Sequence, residues 1–339
     1  MAANDLANFT TLGVGGPAAE IIKVKTEEEL IAAIKAGDAS KTPLLILGGG
    51  SNVLISDSGF AGTVIKVETT GNSFEIDACS GGTLTVSAGT DWDEFVAFTI
   101  EKGLANLESL SGIPGTVGGA PIQNIGAYGH EVSEVIARVR TFDRKAQAVK
   151  TFTASQCEFG YRSSIFKTEA NRYVILDVTF QLRIGEASLP IGYVELAKEL
   201  GVKIGARVAI TEVRDAVLKL RSAKGMLIGE GIKSAGSFFM NPVLEKGIAE
   251  KLPSDAPRWP MSDGRVKTSA AWLMEHAGVS KGDQLAGAQI SPKHVLALSN
   301  AGDATAKDLI ALAKSAQEKV RAKFGITLQT EVQLVGLSL

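Results

Sequence analysis

Three polar side chains stand in sequence settings that could do chemistry. Arg162 lies in FGYRSSIFK (residues 159–167), where two cations stand among aromatic residues. An arginine in such surroundings suits a planar anion held by two parallel hydrogen bonds, although an ordinary surface strand also fits the pattern. Ser237 in AGSFFMNP and Glu331 in LQTEVQ carry a hydroxyl and a carboxyl group that could move or hold a proton.

Taken alone, neither Ser237 nor Glu331 identifies a site. Ser237 has no histidine near it in sequence and no GxSxG elbow, so a nucleophile is not indicated. A hydroxyl that donates a proton stays open, but a small residue at a tight corner is the simpler interpretation. A final strand is expected over residues 326–336. Its alternation would place Glu331 on one face with Gln329 and Gln333, and a solvated edge is the simpler interpretation there.

Two glycine-rich loops could bind an anion through backbone N–H groups. The first, GGGSN (residues 48–52), follows a buried strand. Val53 stands where a dinucleotide-binding fingerprint needs a third glycine, and residues 53–55 are typical of strand rather than helix. The sequence has no GxxxxGK[ST] phosphate loop either. For this motif alone, a tight turn between strands stays as open as a phosphate cradle.

The second loop, SGIPGTVGGAPIQNIGAYG (residues 111–129), mixes glycine with Ile, Val, Pro and Tyr. Solvated linkers are not built from such residues, whereas a loop packed against a flat, partly apolar ligand would be. A glycine-rich turn in a core stays open, but each of its backbone polar groups would need a partner. The composition of this loop therefore favours a ligand site.

Composition narrows the class of protein. A chain of 339 residues predicts two or three domains, and 45% hydrophobic with 21% charged residues is typical of a globular protein with a sizeable core. The net charge of −2 argues against a nucleic-acid partner. Because no apolar run is long enough to span a bilayer and the N-terminus has no signal-peptide pattern, we expect a cytoplasmic protein without a membrane span.

The cysteine and histidine residues argue against a disulfide-linked protein and against a metalloprotein. Cys79 and Cys157 are far apart and form no CxxC, so we expect two separate thiols rather than a disulfide. His130, His276 and His294 are scattered and show no paired ligand spacing. We therefore expect no metal site.

Hydrophobic periodicity and capping residues predict the elements that position these loops. Glu29 and Glu94 are expected to complete capping boxes at the first two helices. Strands are predicted at 21–24, 44–47, 53–55, 63–67, 84–87, 135–142 and 173–182. Helices are predicted from the caps Thr26 (ending at Gly37) and Asp91, and at 210–224, 268–276 and 306–324.

Together the motifs resemble one family, the UDP-N-acetylenolpyruvoylglucosamine reductases (MurB). GGGSN, IPGTVGGAPIQNIGAYG, FGYRSSIFK, AGSFFMNP and LQTEVQ occur in the family's order along nearly the whole chain. The resemblance implies an α+β fold: an FAD-binding part of vanillyl-alcohol-oxidase/PCMH type, made of two α/β subdomains, plus a separate α+β substrate-binding domain. We expect FAD-binding subdomains at 1–68 and 69–222 and a substrate domain at 223–326, with the strand at 327–339 returning to the FAD-binding part.

The resemblance also implies the activity: NADPH-dependent, FAD-mediated reduction of UDP-N-acetylglucosamine enolpyruvate to UDP-N-acetylmuramate in peptidoglycan precursor synthesis. Arg162, Ser237 and Glu331 match the family's catalytic positions, with the proton from Ser237 and charge stabilised by the other two. Substrate-binding positions match Tyr193 (as in type I enzymes), Lys224, Asn241 and His294. The flavin would lie over Gly48, Gly49, Gly50, Ser51, Asn52, Ile113, Pro114, Gly115, Thr116, Val117, Gly119, Gln123, Asn124, Gly126, Ala127 and Tyr128.

NADPH and the sugar nucleotide would share one cleft in a monomer. The chain departs from the family at Met240, where many relatives have Lys, and at Ser291, where many have His; both concern the nucleotide end. One rival is a flavoenzyme of the same fold that oxidises a small alcohol or hydroxy acid, and the Ser237 and Glu331 motifs argue against it. The other is a non-catalytic sugar-nucleotide binding protein, which leaves the joint presence of Arg162, Ser237 and Glu331 unexplained.

Overall fold

The computed structural model describes residues 4–77 and 81–339; Cys79 lies outside the described residues. The described strands, in chain order, are Ala18–Val24 (β1), Leu44–Leu47 (β2), Val53–Ile55 (β3), Phe60–Val67 (β4), Asn72–Asp77 (β5), Gly81–Ser87 (β6), Leu104–Ala105 (β7), Gly126–Ala127 (β8), His130–Glu131 (β9), Ile136–Asp143 (β10), Ala148–Thr153 (β11), Tyr173–Ile184 (β12), Lys233–Ser237 (β13), Val243–Leu244 (β14), Arg258–Pro260 (β15), Val266–Thr268 (β16), Gln284–Leu285 (β17), Ala288–Ile290 (β18), Ala297–Asn300 (β19) and Gln333–Val335 (β20).

The described α-helices are Glu27–Ser40 (α1), Trp92–Glu101 (α2), Ile165–Thr168 (α3), Val194–Leu200 (α4), Ile210–Ala223 (α5), Lys246–Ala249 (α6), Ala270–His276 (α7) and Ala306–Phe324 (α8). Within the described ranges, no helix combines the length and the apolar composition needed to cross a membrane.

The described residues form two compact units. The first unit is drawn from Met1–Pro17, Ser51–Phe60 and Ile228–Leu339, and the second from Ala18–Gly50 and Ala61–Leu227. The three-part division expected from the sequence, at 1–68, 69–222 and 223–326, stays a prediction.

The described part of the second unit contains two larger sheets and the two-stranded hairpin β8–β9. In one, the strand order is β1-β4-β2, and β2 runs parallel to β4 with Leu44 opposite Thr63. The other is an antiparallel sheet in the order β11-β10-β12-β6-β5, with β7 added at the end of β12. Buried aromatic side chains of this unit, including Trp92, Phe95 and Phe180, pack together in its main core.

Strands β2 and β3 have the predicted bounds because their short apolar runs are buried throughout or nearly so.

Two predictions about α1 are wrong in detail. The hydroxyl of Thr26 accepts the Glu29 N–H, but the Glu29 carboxylate accepts the N–H of Lys25 at 2.7 Å, so the box is not closed on the cap residue. The helix does not end at Gly37 but continues to Ser40 and is capped by Lys41 at φ 56°. Gly37 is needed for space instead, because a Cβ there would lie 2.5 Å from a Leu44 methyl group.

The first unit is built around the antiparallel sheet β13-β19-β18-β17 and the long helix α8. Helix α8 has the predicted bounds because Thr305 and Asp308 form a complete capping box and Gly325 ends it at φ 70°. A second small sheet has the order β14-β16-β15. Strand β20 pairs parallel with β3, so that Gln333 lies opposite Val53.

The prediction of one final strand over 326–336 is wrong, because only β20 forms there. The segment before it pairs elsewhere: the Glu331 N–H donates to the Phe238 carbonyl at 2.8 Å, and Thr330 forms a bridge with Phe239. The chain therefore changes partner within a few residues, and Glu331 lies in a bend rather than in a strand. The alternation proposed for Gln329, Glu331 and Gln333 does not apply.

Candidate active site

Two glycine loops of the second unit lie in van der Waals contact. A Cβ at Gly48 would lie 2.6 Å from the Thr116 hydroxyl oxygen, and a Cβ at Gly49 would lie 2.8 Å from the Gly115 Cα. Gly115 also has a φ of 126°, which side chains rarely adopt. Only glycine therefore allows the two loops to approach this closely.

The same loops carry backbone donors available to a ligand. In the loop at 114–119, Val117, Gly118 and Gly119 donate their N–H groups to backbone carbonyls. For Gly49, Gly50, Gly115 and Thr116, no hydrogen bond from the backbone N–H is found among residues 4–77 and 81–339. Backbone N–H groups at such a glycine-rich approach suit a phosphate group.

Lys66 on β4 adds a cation to this region, and it is not among the residues predicted from the sequence. Its ammonium donates to the Gly48 carbonyl at 2.7 Å. Burial lowers the pKa of the Lys66 ammonium, although Glu68 partly opposes this. A lysine on a strand gives no local signal of this position, because the contact depends on the parallel pairing of β2 with β4.

The start of the second loop is fixed by charged side chains. The Gly112 N–H donates to the Asp93 carboxylate at 2.6 Å, and Asp93 forms a two-pronged ion pair with Arg214 at 2.7 and 2.9 Å. Buried Arg221 donates to the Gly112 carbonyl. Although burial alone raises the pKa of Asp93, the bonds from Arg214 and Gly112 hold that pKa below its ordinary value.

The end of the loop forms the hairpin β8–β9, with Tyr128 at its tip at φ 50°. The ring of Tyr128 meets the ring of Tyr193 edge-on at 5.5 Å, and the Lys224 ammonium lies 5.8 Å from the Tyr128 ring. Lys224 also pairs with Glu195 at 2.5 Å. Burial raises the pKa of Tyr128 to about 12. The structure thus brings together Tyr128, Tyr193 and Lys224.

Arg162 lies in a tight turn of the second unit. Gly160 and Ser163 exchange backbone hydrogen bonds at 3.0 and 3.1 Å, and Arg162 between them has a φ of 53°. A left-handed backbone is unusual for a non-glycine residue and is found where the surrounding structure imposes it. The Arg162 guanidinium donates to the Gly126 carbonyl at 2.8 Å. The turn therefore aims the cation at the hairpin β8–β9.

Ser237 and Glu331 lie in the first unit. Ser237 ends β13 opposite Ala297, after Gly236 at φ 71°. The buried residues Phe238 and Phe239 follow, and their backbone pairs with the chain around Glu331. The Asn52 side-chain amide donates to the Glu331 carbonyl at 3.2 Å. Asn52, the Ser237 segment and Glu331 are therefore brought together within this unit.

Two further residues predicted to bind substrate, Asn241 and His294, also lie in the first unit. The Asn241 side-chain oxygen accepts the N–H of Ala270 at the start of α7, and a His294 ring nitrogen accepts the Leu296 N–H at 3.2 Å. Ser291 is fully buried, and its hydroxyl accepts the Lys293 N–H. Among the residues that the structure describes, no group of three or more His, Cys, Asp or Glu side chains could hold a metal ion.

Comparison with known proteins decides the family. A model described as FAD binding domain matches residues 18–151, and a model described as UDP-N-acetylenolpyruvoylglucosamine reductase, C-terminal domain, matches residues 228–335. The UDP-N-acetylenolpyruvoylglucosamine reductase of Cutibacterium acnes is 51% identical over 340 residues, which cover 98% of this chain and 90% of the relative. The chain belongs to the UDP-N-acetylenolpyruvoylglucosamine reductase family.

Other members of the UDP-N-acetylenolpyruvoylglucosamine reductase family agree. The enzyme of Thermobifida fusca is 47% identical over 348 residues, covering 98% of this chain and 97% of the relative. The crystal structure of the Thermus caldophilus enzyme (MurB) is 28% identical, covers 97% of each chain and superposes with a TM-score of 0.67. The predicted family, the α+β PCMH-type FAD-binding fold and the FAD cofactor are confirmed, and the chain is an FAD-dependent oxidoreductase. The individual roles of the predicted site residues stay predictions.

Proposed function

We propose that this chain reduces UDP-N-acetylglucosamine enolpyruvate to UDP-N-acetylmuramate, a step of peptidoglycan precursor synthesis, with NADPH as the reductant. The observation that carries the proposal is family membership over 98% of the chain, with both an FAD-binding and a reductase-specific family model matched. The name of these relatives describes this reductase activity.

The glycine loops of the second unit fit an FAD molecule. Backbone donors of Gly49, Gly50, Gly115 and Thr116 would hold the diphosphate, and glycine there leaves room for it. The Lys66 ammonium would add positive charge nearby. When bound, FAD carries reducing equivalents from NADPH to the terminal carbon of the enolpyruvyl group, and the protein orients and screens that chemistry.

The negative charge that develops on the substrate during reduction explains the roles proposed for the three predicted catalytic residues. Negative charge builds on the carbon next to the reduced one and on its carboxylate, and the Arg162 guanidinium would pair with that carboxylate. A protonated Glu331 would donate a hydrogen bond to the developing charge, and a preorganised donor of this kind contributes about 3–4 kcal/mol. Ser237 would give its hydroxyl proton to the same carbon, which completes the saturated lactyl ether.

Substrate binding is proposed for Tyr193, Lys224, Asn241 and His294. Tyr193 is 42% exposed although its ring contacts Tyr128, so it could change position over a ligand. Lys224 would meet the substrate diphosphate and would then share its ammonium with Glu195. We further propose that NADPH and the sugar nucleotide use one site in turn, which predicts ping-pong kinetics, and that the enzyme works as a cytoplasmic monomer.

The test is an anaerobic absorbance experiment on the purified protein. NADPH is expected to bleach the flavin band, and UDP-N-acetylglucosamine enolpyruvate is expected to restore it with formation of UDP-N-acetylmuramate. Bleaching without restoration would overturn the proposed substrate, and a protein that binds no FAD would overturn the proposal as a whole.

A further inference from the structure

Asn124, in the second glycine-rich loop, combines a left-handed backbone with complete burial of a polar side chain. Its residue is fully buried, with 0% of its surface exposed, and its backbone adopts a φ of 47°. Asparagine tolerates the left-handed region better than most residues because its short polar side chain can bond locally. A buried amide in this conformation requires partners for its donors.

The side chain of Asn124 fastens three segments of the second unit. Its nitrogen donates to the Glu131 carboxylate at 2.7 Å and to the Gly160 carbonyl at 3.1 Å. Its oxygen accepts the Ser133 N–H at 3.0 Å. Both amide hydrogens are therefore used within the protein, and no surface is left for a direct contact with a ligand.

Two of these bonds lead to Arg162. Gly160 opens the tight turn that holds Arg162 at φ 53°, and Glu131 lies in β9, opposite Gly126 in β8. The Gly126 carbonyl is the group that accepts the hydrogen bond from the Arg162 guanidinium. Asn124 thus anchors both the backbone of the turn and the hairpin to which the guanidinium is aimed.

We propose that Asn124 is a positioning residue that sets the Arg162 guanidinium for its substrate, rather than a direct contact to the cofactor. The inference rests on the proposed function, because that function assigns Arg162 to the substrate carboxylate. Only an amide supplies two donors and one acceptor in this volume, which accounts for asparagine at this position.

The variant that tests this is Asn124→Asp. Aspartate keeps the volume and the tolerance for a left-handed backbone, but an ionised carboxylate has no proton to donate, and a protonated one could donate to only one of Gly160 and Glu131. We expect the sugar nucleotide to reoxidise the reduced flavin about 10- to 100-fold more slowly at saturating concentration, since a misplacement of about 1 Å costs up to 100-fold. Flavin reduction by NADPH and the dissociation constant of FAD are expected to change less than about two-fold. Stopped-flow absorbance and FAD titration of the apoprotein measure these quantities.

A double-mutant cycle with Arg162→Ala separates positioning from an independent role. If Asn124 acts through Arg162, Asn124→Asp will slow reoxidation little further in the Arg162→Ala protein. Additive slowing, or a weakened FAD affinity with unchanged reoxidation, would overturn the inference. If Arg162→Ala alone leaves reoxidation unchanged, the proposed role of Arg162 fails instead, so the two failures are distinguishable.

Thr141→Val is the matched control, because it removes a buried hydrogen bond of the second unit, from the Thr141 hydroxyl to the Lys150 carbonyl. It should lower the melting temperature without changing either half-reaction. Should Asn124→Asp fail to fold, Glu131→Ala removes one anchor of the amide from a partly exposed position. Slowed reoxidation that is non-additive with Arg162→Ala would again support the inference, and unaltered reoxidation would refute it.

Discussion

The two units hold their predicted catalytic residues in different ways. In the first unit, the Ser237 and Glu331 segments are joined by backbone bonds, from the Glu331 N–H to the Phe238 carbonyl and from the Met240 N–H to the Gln329 carbonyl. In the second unit, side chains add to the backbone turn that holds Arg162: its own guanidinium donates to the Gly126 carbonyl, and the Lys167 ammonium donates to the Arg162 carbonyl at 2.9 Å. Hydrogen bonds between backbone groups do not depend on residue identity, whereas hydrogen bonds from side chains do.

The two ways of holding these residues determine whether a mutation changes activity and stability together or only one of them. In the first unit, side chains can be changed without removing the backbone bonds that join the Ser237 and Glu331 segments, although the Asn52 amide also bonds the Glu331 carbonyl. In the second unit, the polar side chains of Asn124 and Ser164 near Arg162 also bond to backbone carbonyls of the loops. Loss of function and loss of stability should therefore coincide for the side chains around Arg162 and separate for those around Ser237.

The largest expected effect is that of Ser237→Ala. General acid catalysis contributes about 10²- to 10⁴-fold, so reoxidation of the flavin by the sugar nucleotide should slow by that factor while NADPH still reduces the flavin. Because the Ser237 residue keeps its backbone pairing, the free energy of unfolding should change by less than about 0.5 kcal/mol. Stopped-flow traces and urea denaturation check both parts. Equal slowing of the two half-reactions would contradict the assignment.

Gly49→Ala should have the next largest effect. The added methyl would lie 2.8 Å from the Gly115 Cα, so the two loops must separate, and FAD affinity should fall by about 100-fold or more, equivalent to about 3 kcal/mol. Fluorescence titration of the apoprotein with FAD measures this. Gly247→Ala in α6 of the first unit is the matched control, because a Cβ there meets nothing within 4 Å and should leave FAD affinity unaltered. Equal affinity in Gly49→Ala would exclude the proposed cradle.

Ser164→Ala is the counterpart of Ser237→Ala in the second unit. The buried Ser164 hydroxyl donates to the Ile122 carbonyl at 2.6 Å, and leaving a buried carbonyl unpaired costs about 1–3 kcal/mol. We expect the free energy of unfolding in urea to fall by that amount and reoxidation to slow in parallel. A Ser164→Ala enzyme that is slow but as stable as the unmodified protein would contradict the expectation that stability and function are lost together around Arg162.

The smallest effect is a pH dependence at Asp93. Its folded pKa is held below the ordinary value of about 4, so the stabilisation is present above that pH and is lost as pH falls through the folded value. In Asp93→Asn, the free energy of unfolding should therefore fall less steeply with decreasing pH. The difference should be at most about 1 kcal/mol, because the pair is partly exposed. Thermal melts between pH 3 and pH 7 measure it, with the exposed Asp215→Asn as control. The same pH dependence of stability in Asp93→Asn and in the unmodified protein would show that the ion pair does not contribute to it.

Much of the fold could be predicted because local signals decide it. Helix α8 carries its own caps, and β2 and β3 are short apolar runs, so their bounds were predictable. Strands β5 and β11 were not predicted, because β5 is exposed throughout and β11 is exposed except at one residue, so neither has a buried face. The final strand was overextended because a change of pairing partner leaves no local trace.

The site was predictable in residue type but not in geometry. Motifs pointed to Arg162, Ser237 and Glu331 as candidates, but not to the left-handed turn at Arg162, which is bonded to Asn124 and to the hairpin β8–β9. Lys66 was missed because its contact with Gly48 requires β2 and β4 to pair in register. Properties that depend on residues far apart in sequence cannot be obtained from the composition of one segment.

The parallel pairing of β3 with β20 has a consequence for how the protein is made. Residues 53–55 emerge from the ribosome early, but their partner at 333–335 is translated about 280 residues later, which takes roughly 14–56 s at about 5–20 residues per second. Throughout that interval, the edge of β3 has no native partner. The first unit can close only after residues 333–335 have left the ribosome, so the nascent chain carries the apolar strand β3 without its native partner until then.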